Sequence, residues 1–149
     1  YYELGQSTRN LREMPDFAHV QPTYVQRVDD FDAPAVTRVE NNFALVFHGW
    51  LTIEGDGIHE FHVESLDGAR LLIDGSPVVD DARKHPRREM TGAVRLKPGR
   101  HAIELQFFQG RQGYFLGLEY TRPDGTRSPI PLEALSIDAE TKPSWLAAE

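Results

Sequence analysis

Apolar and polar residues alternate with a period of two along the central part of the chain. The alternation is clear in residues 42–54, 58–66 and 100–108, and shorter alternating runs surround Leu71 and Tyr120. This period is typical of half-buried strands, and the runs recur about every 8–12 residues between turn-forming residues. No stretch shows the period of a helix. The pattern therefore predicts an all-β fold, an antiparallel β-sandwich or a jelly-roll-like barrel.

One face of these strands is expected to be buried between two sheets. Its predicted members are large apolar residues at alternate positions. They are Phe43, Leu45, Phe47, Phe61, Val63, Leu71, Ile73, Ile103, Leu105 and Phe107.

Two Asp-Gly pairs lie between apolar runs in the stretch from Phe61 to Asp81. They are Asp67-Gly68 and Asp74-Gly75. Asp-Gly is a strong hairpin signal because glycine accepts positive φ and aspartate tolerates it. The stretch is therefore predicted to be a three-stranded meander. Gly49, inside the first long strand, predicts a bulge or a sharp bend there.

The length of 149 residues fits one domain. We expect this domain at 1–135 and a tail or linker at 136–149. The chain starts at Tyr1 without Met, so we expect a fragment of a longer protein. No apolar stretch is long enough for a membrane-spanning helix, so membrane insertion is not expected. The absence of cysteine excludes disulfides and thiol catalysis.

The formal net charge of −7 disfavours nucleic acid as a partner, because a polyanion would be repelled. The densest basic run reads Arg-Lys-His-Pro-Arg-Arg and spans residues 83–88. We interpret it as a solvated loop, and an anionic ligand is the alternative.

No motif of a known catalytic type is present. The chain lacks a nucleophile elbow, a phosphate loop, a dinucleotide fingerprint and an H-E-x-x-H zinc motif. His59 and His62 are an odd number of residues apart on a predicted strand, so they point to opposite faces and cannot share a metal. The chain is therefore expected not to be an enzyme. A glycosidase remains open, because the separation of two carboxylates is a spatial property.

Three phrases resemble the toxin protective-antigen domain family. They are FHGWLTI, SLDGARLLIDGSPVVDD and GRHAIELQFF. That family is a lectin-like β-sandwich module, also found in yeast flocculins and adhesins and inserted in bacterial β-glucosidases. The resemblance implies a non-catalytic carbohydrate-binding or adhesion module of a larger secreted or cell-surface protein. Its location would be extracellular, at the cell surface or periplasmic.

The partners that the resemblance implies are a glycan or cell-surface polysaccharide and the neighbouring domains of the parent protein. Two alternatives stay open. One is a structural or protein-interaction spacer whose ligand site is degenerate. The other is an accessory domain of a glycoside hydrolase.

The resemblance also implies where a ligand would bind. In the calcium-dependent lectins of the family, two adjacent Asp residues joined by a cis peptide hold Ca²⁺, with an Asn from a later loop. Here Leu66 precedes Asp67, and the corresponding loop Gln109–Gly113 has no Asn. Asp67 is therefore at most a weak metal ligand, Ca²⁺ is disfavoured, and no cofactor is expected. Asp67 as a simple turn former is the alternative.

A glycan is expected between the Leu66–Gly68 turn and the Gln109–Gly113 loop. The predicted ligand-binding residues are Asp67, Gly68, Gln109, Arg111, Gln112 and Tyr114.

Overall fold

The described part of the chain forms two antiparallel sheets packed face to face. A computed structural model describes residues 1–3, 14–19, 22, 25, 28, 31, 43–83, 85–110 and 115–137. Its strands are β1 (Tyr2–Glu3), β2 (Phe43–Ile53), β3 (Gly57–Ser65), β4 (Ala69–Ile73), β5 (Ser76–Asp81), β6 (Arg88–Leu96), β7 (Gly99–Gln109), β8 (Leu116–Thr121), β9 (Arg127–Pro129) and β10 (Leu135–Ser136). Single 3-10 turns lie at Phe17–His19 and Leu132–Ala134.

The larger sheet has the strand order β1-β2-β7-β4-β5, and β10 also pairs with β2. The smaller sheet has the order β6-β3-β8-β9. All pairings between these strands are antiparallel. The predicted all-β antiparallel sandwich is therefore confirmed.

The core lies between the two sheets and contains every residue predicted for it. All ten are buried, and Phe43, Phe61 and Leu71 are fully inaccessible to solvent. The long β2–β7 ladder runs without interruption from Phe43↔Gln109 to Ile53↔Gly99. Because side chains alternate along both strands, one set of alternate residues enters the core and the other covers the outer face.

The stretch from Phe61 to Asp81 is not a meander, so that prediction was wrong. β3 pairs with β6 and β8 in the smaller sheet, whereas β4 pairs with β5 and β7 in the larger one. The connection through Asp67-Gly68 therefore crosses from one sheet to the other. The Phe108 N–H donates to the Gly68 carbonyl at 3.0 Å, which joins the start of β4 to β7 instead of to β3.

The backbone angles explain why two identical dipeptides behave differently. Asp74 and Gly75 have φ of 53° and 81°, the left-handed pair that a two-residue hairpin of type I′ needs. The pair at Asp67-Gly68 shows no positive φ. A β-carbon on Gly68 would lie 2.1 Å from a ring carbon of Phe108, so this glycine serves close packing and not a hairpin turn.

Gly49 is also explained by close packing, and the predicted bulge was wrong. The pairing continues regularly through Gly49↔Ile103. A β-carbon on Gly49 would lie 2.8 Å from the Ser136 carbonyl oxygen of β10. The irregularity lies instead in the pairing of β4 with β5. Leu71 of β4 pairs with Val79 and the next residue, Leu72, pairs with Pro77, so Val78 of β5 has no partner in this ladder.

The predicted tail begins at the last described strand. β10 pairs with Trp50 and Leu51 of β2, and residues 138–149 lie outside the described residues. The boundary at residue 135 therefore stays a prediction. No helix in the described part of the chain is long and apolar enough to cross a membrane.

Candidate functional site

Three connections meet at one end of the sandwich. They are the β3–β4 connection (residues 66–68), the β5–β6 loop (residues 82–87) and the β7–β8 loop (residues 110–115). We call this region the loop end. Ser65 of β3 pairs with Arg88 of β6 and with Leu116 of β8, which brings the three connections side by side.

Asp67 is the buried centre of the loop end. Its side chain is 0% exposed, and its Oδ2 accepts hydrogen bonds from the Gly110 N–H at 2.8 Å and the Gln109 amide at 3.2 Å. The Ser65 hydroxyl donates to the Asp67 carbonyl oxygen at 2.5 Å. The carboxylate therefore ties the β3–β4 connection to the β7–β8 loop and does not point into solvent.

The neighbours of Asp67 complete this tie. The Leu66 N–H donates to the Phe115 carbonyl oxygen at 3.1 Å, and the peptide bond between Leu66 and Asp67 is trans. Gly68 packs against Phe108 and against the backbone of Ala82, where a β-carbon would lie 2.9 Å from the carbonyl carbon. The connection thus contacts both other loops through backbone groups.

The structure brings together three of the six predicted ligand-binding residues. Asp67, Gly68 and Gln109 are adjacent, and all three are buried. The Oε1 atom of Gln109 is buried and has no hydrogen-bond partner among the described residues. Arg111, Gln112 and Tyr114 lie outside the described residues. Their assignment stays a prediction.

The family resemblance implies a calcium site here, and the described side chains do not fit one. Ca²⁺ takes six to eight oxygen ligands, several of them charged. Asp67 supplies the one carboxylate of this connection, and its Oδ2 already accepts two N–H groups. No group of three or more His, Asp or Glu side chains suited to a metal occurs among the described residues.

The β5–β6 loop is the side of the loop end that sequence reasoning did not assign to the site. It borders a groove of about 660 Å³ lined by residues of this loop and of the ends of β5 and β6. The lining residues are Asp80, Asp81, Ala82, Arg83, His85, Pro86 and Arg88. The basic run was visible in the sequence, but no local sequence signal indicated that its residues line a groove.

The floor of the groove is fixed by Asp81. Its two oxygens accept hydrogen bonds from Nε and Nη2 of Arg88 at 2.9 and 2.7 Å. The buried His85 ring has Nε2 at 2.8 Å from Asp81 Oδ2, and its Nδ1 lies 2.6 Å from the Pro86 carbonyl oxygen. His85 is therefore buried, whereas Arg83, Pro86, Arg87 and Arg88 are exposed, as the interpretation as a solvated loop expects.

Arg87 joins the β5–β6 loop to the β7–β8 loop. Its guanidinium lies over the Phe115 ring, 3.5 Å from the ring centroid, and its Nε donates to Glu64 at 2.5 Å. A guanidinium on an aromatic face is held by cation–π attraction and leaves its outer face open.

His101 and Asp74 form an ion pair at the opposite end of β4. His101 Nδ1 lies 2.6 Å from Asp74 Oδ2, and Nε2 lies 2.7 Å from the Lys97 carbonyl oxygen. Burial lowers the pKa of His101, but the hydrogen bonds to these two acceptors together raise it by more. The pKa of His101 therefore lies above its ordinary value. Asp74 also accepts from the Ala102 N–H at 3.0 Å, which fixes the hairpin turn.

Arg127 pairs with two carboxylates on the outer face of the smaller sheet. It donates to Glu89 at 2.7 Å and to Glu119 at 2.9 Å. The hydrogen bond from Arg127 lowers the pKa of Glu89. A glycosidase acid needs a raised pKa, so Glu89 is unsuited to that role.

The two central histidines of β3 point to opposite faces, as predicted. His59 packs against Tyr120, with ring centroids 6.4 Å apart, whereas His62 lies between the hydroxyls of Thr91 and Thr121 at 2.9 and 2.7 Å.

The chain belongs to the PA14 domain family, whose model matches residues 3–134. This match confirms the resemblance drawn from the sequence. PA14 is mainly a binding or accessory domain. None of the curated proteins compared with the chain matches it significantly.

Several solved structures share the fold. An anti-sigma factor domain-containing protein is 18% identical, with a TM-score of 0.69 over 91% of this chain and 50% of that chain. A PA14 sugar-binding domain from an RTX adhesin is 21% identical, with a TM-score of 0.58 over 64% of this chain and 54% of that chain. The GH31 alpha-xylosidase from Xanthomonas citri is 25% identical, with a TM-score of 0.50 over 62% of this chain and 10% of that chain. This chain thus covers about half or less of the length of these structures.

Proposed function

We propose that this chain is a non-catalytic carbohydrate-binding module of a longer protein located outside the cell, at its surface or in the periplasm. The ligand site is the loop end, and the partners are a glycan or cell-surface polysaccharide and the neighbouring domains. Membership of the PA14 family supports a binding role, and one structural relative is a sugar-binding domain of an adhesin.

The observation that carries the proposal is the way contacts join the three connections at the loop end, beside a groove that the β5–β6 loop lines. Asp67 ties the first to the third, and Arg87 on Phe115 ties the second to the third. Sites for small polar ligands combine a preformed concave surface with a few placed polar groups and apolar walls. The groove, the guanidinium groups around it and the Phe115 ring supply these elements.

Calcium is not part of this proposal. The described donors at Asp67 are too few, and Leu66 cannot coordinate an ion. Sugar hydroxyls would therefore be bound directly by side chains and backbone groups. We include Arg111, Gln112 and Tyr114 among these groups as proposed contacts, whereas Gln109 is fully buried and supports the site from below.

The test is a glycan array with the 149-residue chain, followed by ¹⁵N chemical-shift mapping with the best saccharide. We expect shifts in residues 66–68, 82–88 and 109–115, and weaker binding in Arg87→Ala. The matched control is Arg95→Ala, whose exposed guanidinium lies near the other end of β6, 3.5 Å from Asp56. Shifts confined to residues 54–57 would move the site to the opposite end.

A second function, that of a structural or protein-interaction spacer, is favoured by one observation. The predicted calcium ligand Asp67 is fully buried and already hydrogen-bonded. The absence of any reproducible saccharide on the array would support the spacer. An accessory role beside a glycoside hydrolase is decided by the coding sequence that surrounds this chain.

A further inference from the structure

The β5–β6 loop beside the groove is basic in a chain that is acidic as a whole, and the groove itself is lined by Arg83 and Arg88 and by Asp80 and Asp81. Residues 82–88 contain four of the 16 basic side chains and no carboxylate, whereas the whole chain has a net charge of −7. A positive local field attracts anions, whereas the acidic remainder of the surface repels them. The ligand chemistry of the groove is therefore different from that of the average surface.

The carboxylates of the groove are already neutralised. Asp81 is occupied by both donors of Arg88 and by His85. Asp80 accepts from Arg70 Nε at 3.0 Å. Neither carboxylate is left to neutralise another cation.

Arg83 takes part in none of these ion pairs. It lines the groove and is exposed, and no carboxylate of the described residues lies within ion-pair distance of it. Arg88 lines the same groove, is 48% exposed, and donates to Asp81 through Nε and Nη2. An arginine fork binds a carboxylate or sulfate with two parallel hydrogen bonds, which ammonium groups cannot do.

We infer that the groove binds the acidic group of an anionic saccharide, a uronate carboxylate or a sugar sulfate, through Arg83 with support from Arg88. This inference rests on the proposed function and specifies its ligand class. Arg83 would form the bidentate pair, and Arg88, already oriented by Asp81, would add a third donor. The Phe115–Arg87 stack borders the same end and offers a flat surface for the neighbouring sugar ring.

The experiment compares matched ligands by isothermal titration with the whole chain. The probes are a galacturonate trimer and its methyl ester, and a sulfated chondroitin tetrasaccharide and its desulfated form. We expect the charged member of at least one pair to bind about tenfold or more tightly, with affinity falling as salt is raised. The pair that shows this difference identifies carboxylate or sulfate as the recognised group.

Variants test whether the preference for the charged ligand arises in the groove. Arg83→Ala is expected to remove most of the preference for the charged ligand, and Arg83→Lys to restore part of it through charge without the fork. Arg95→Ala carries the same change of net charge and is expected to bind as the unchanged chain does. A loss that is equal in Arg83→Ala and Arg95→Ala overturns the inference, because net charge alone would then explain it.

The two levels of the proposal fail in different ways. If charged and neutral members bind equally, the acidic-group inference is wrong and carbohydrate binding stands. If no saccharide binds, both fail. If polyglutamate binds as tightly as the uronate and loses the same affinity in Arg83→Ala, the groove is an anion site and the saccharide part of the inference is wrong.

Discussion

Replacing Asp67 by alanine is expected to destabilise the domain strongly, although the residue lies in a surface connection. The substitution removes an acceptor that serves Gly110 N–H and the Gln109 amide in a fully buried environment. A hydrogen bond to a charged group contributes about 1.5–3 kcal/mol, and a buried donor left without a partner costs about 1–3 kcal/mol. We therefore expect a loss of about 3–5 kcal/mol, a large share of the 5–15 kcal/mol typical of a domain.

The measurement is equilibrium unfolding in urea, followed by circular dichroism. Asp67→Asn keeps one acceptor oxygen and loses the charge, so we expect about 1–2 kcal/mol for it. The control is Asp56→Ala, because Asp56 is 53% exposed and its pair with Arg95 at 3.5 Å contributes about 0–1 kcal/mol. Amide hydrogen exchange at Gly110 reports on the tie itself and should accelerate in Asp67→Ala.

A loss of less than about 1 kcal/mol in Asp67→Ala, equal to that of Asp56→Ala, would refute this reasoning. The buried carboxylate would then not hold the two connections together. A large loss of stability with unchanged exchange at Gly110 would show that Asp67 matters for another reason.

Three further predictions concern other parts of the molecule. The pKa of His101 is raised in the folded state, so its pairing with Asp74 stabilises the fold fully below the unfolded pKa of about 6.5, and this stabilisation is lost as pH rises through the folded pKa. The difference in unfolding free energy between the unchanged chain and Asp74→Asn, measured in urea from pH 5.5 to 8.5, should therefore become smaller as pH rises. A difference that stays constant would contradict this prediction. Gly92→Ala should lower the free energy of unfolding by about 3 kcal/mol or more in the same assay, because a β-carbon would lie 1.9 Å from a carbonyl oxygen of β5. The control is Gly55→Ala, which has open space around it and should change the free energy of unfolding by less than about 1 kcal/mol. Calorimetric titration of the chelator-treated chain with Ca²⁺ should show no micromolar site, and Leu66→Asp tests whether one carboxylate was the missing ligand.

The strands and the core were predictable because alternation is a local property of the sequence. The assignment of strands to sheets was not, as the two Asp-Gly pairs show. Locally they are the same dipeptide, but β4 pairs with β7, a strand about 30 residues later in the chain, and this distant pairing makes Asp67-Gly68 a crossing between sheets. The glycine is needed there for contact with Phe108, which the sequence alone does not reveal.

The candidate site was predictable only in part, because some of its connections come together through contacts between residues distant in sequence. The resemblance directed attention to the β3–β4 and β7–β8 connections, and these are adjacent. The β5–β6 loop became part of the site through contacts with residues far away in sequence, such as Arg87 on Phe115.

Among the described residues, β1 and β10 are the strands that pair with the side of β2 that β7 does not cover. β7 covers one side of β2 along all eleven residues, and β1 and β10 pair with the other side at Phe43–Ala44 and Trp50–Leu51. A long apolar strand with an open edge is a template on which a second copy can add and aggregate. Each terminal strand has two residues, and removing one by truncation would expose this edge and would also remove the core contacts of Tyr1 and Tyr2, or of Leu135. A shortened chain should therefore lose stability and also aggregate more readily, so that solubility as well as unfolding limits how far this domain can be trimmed.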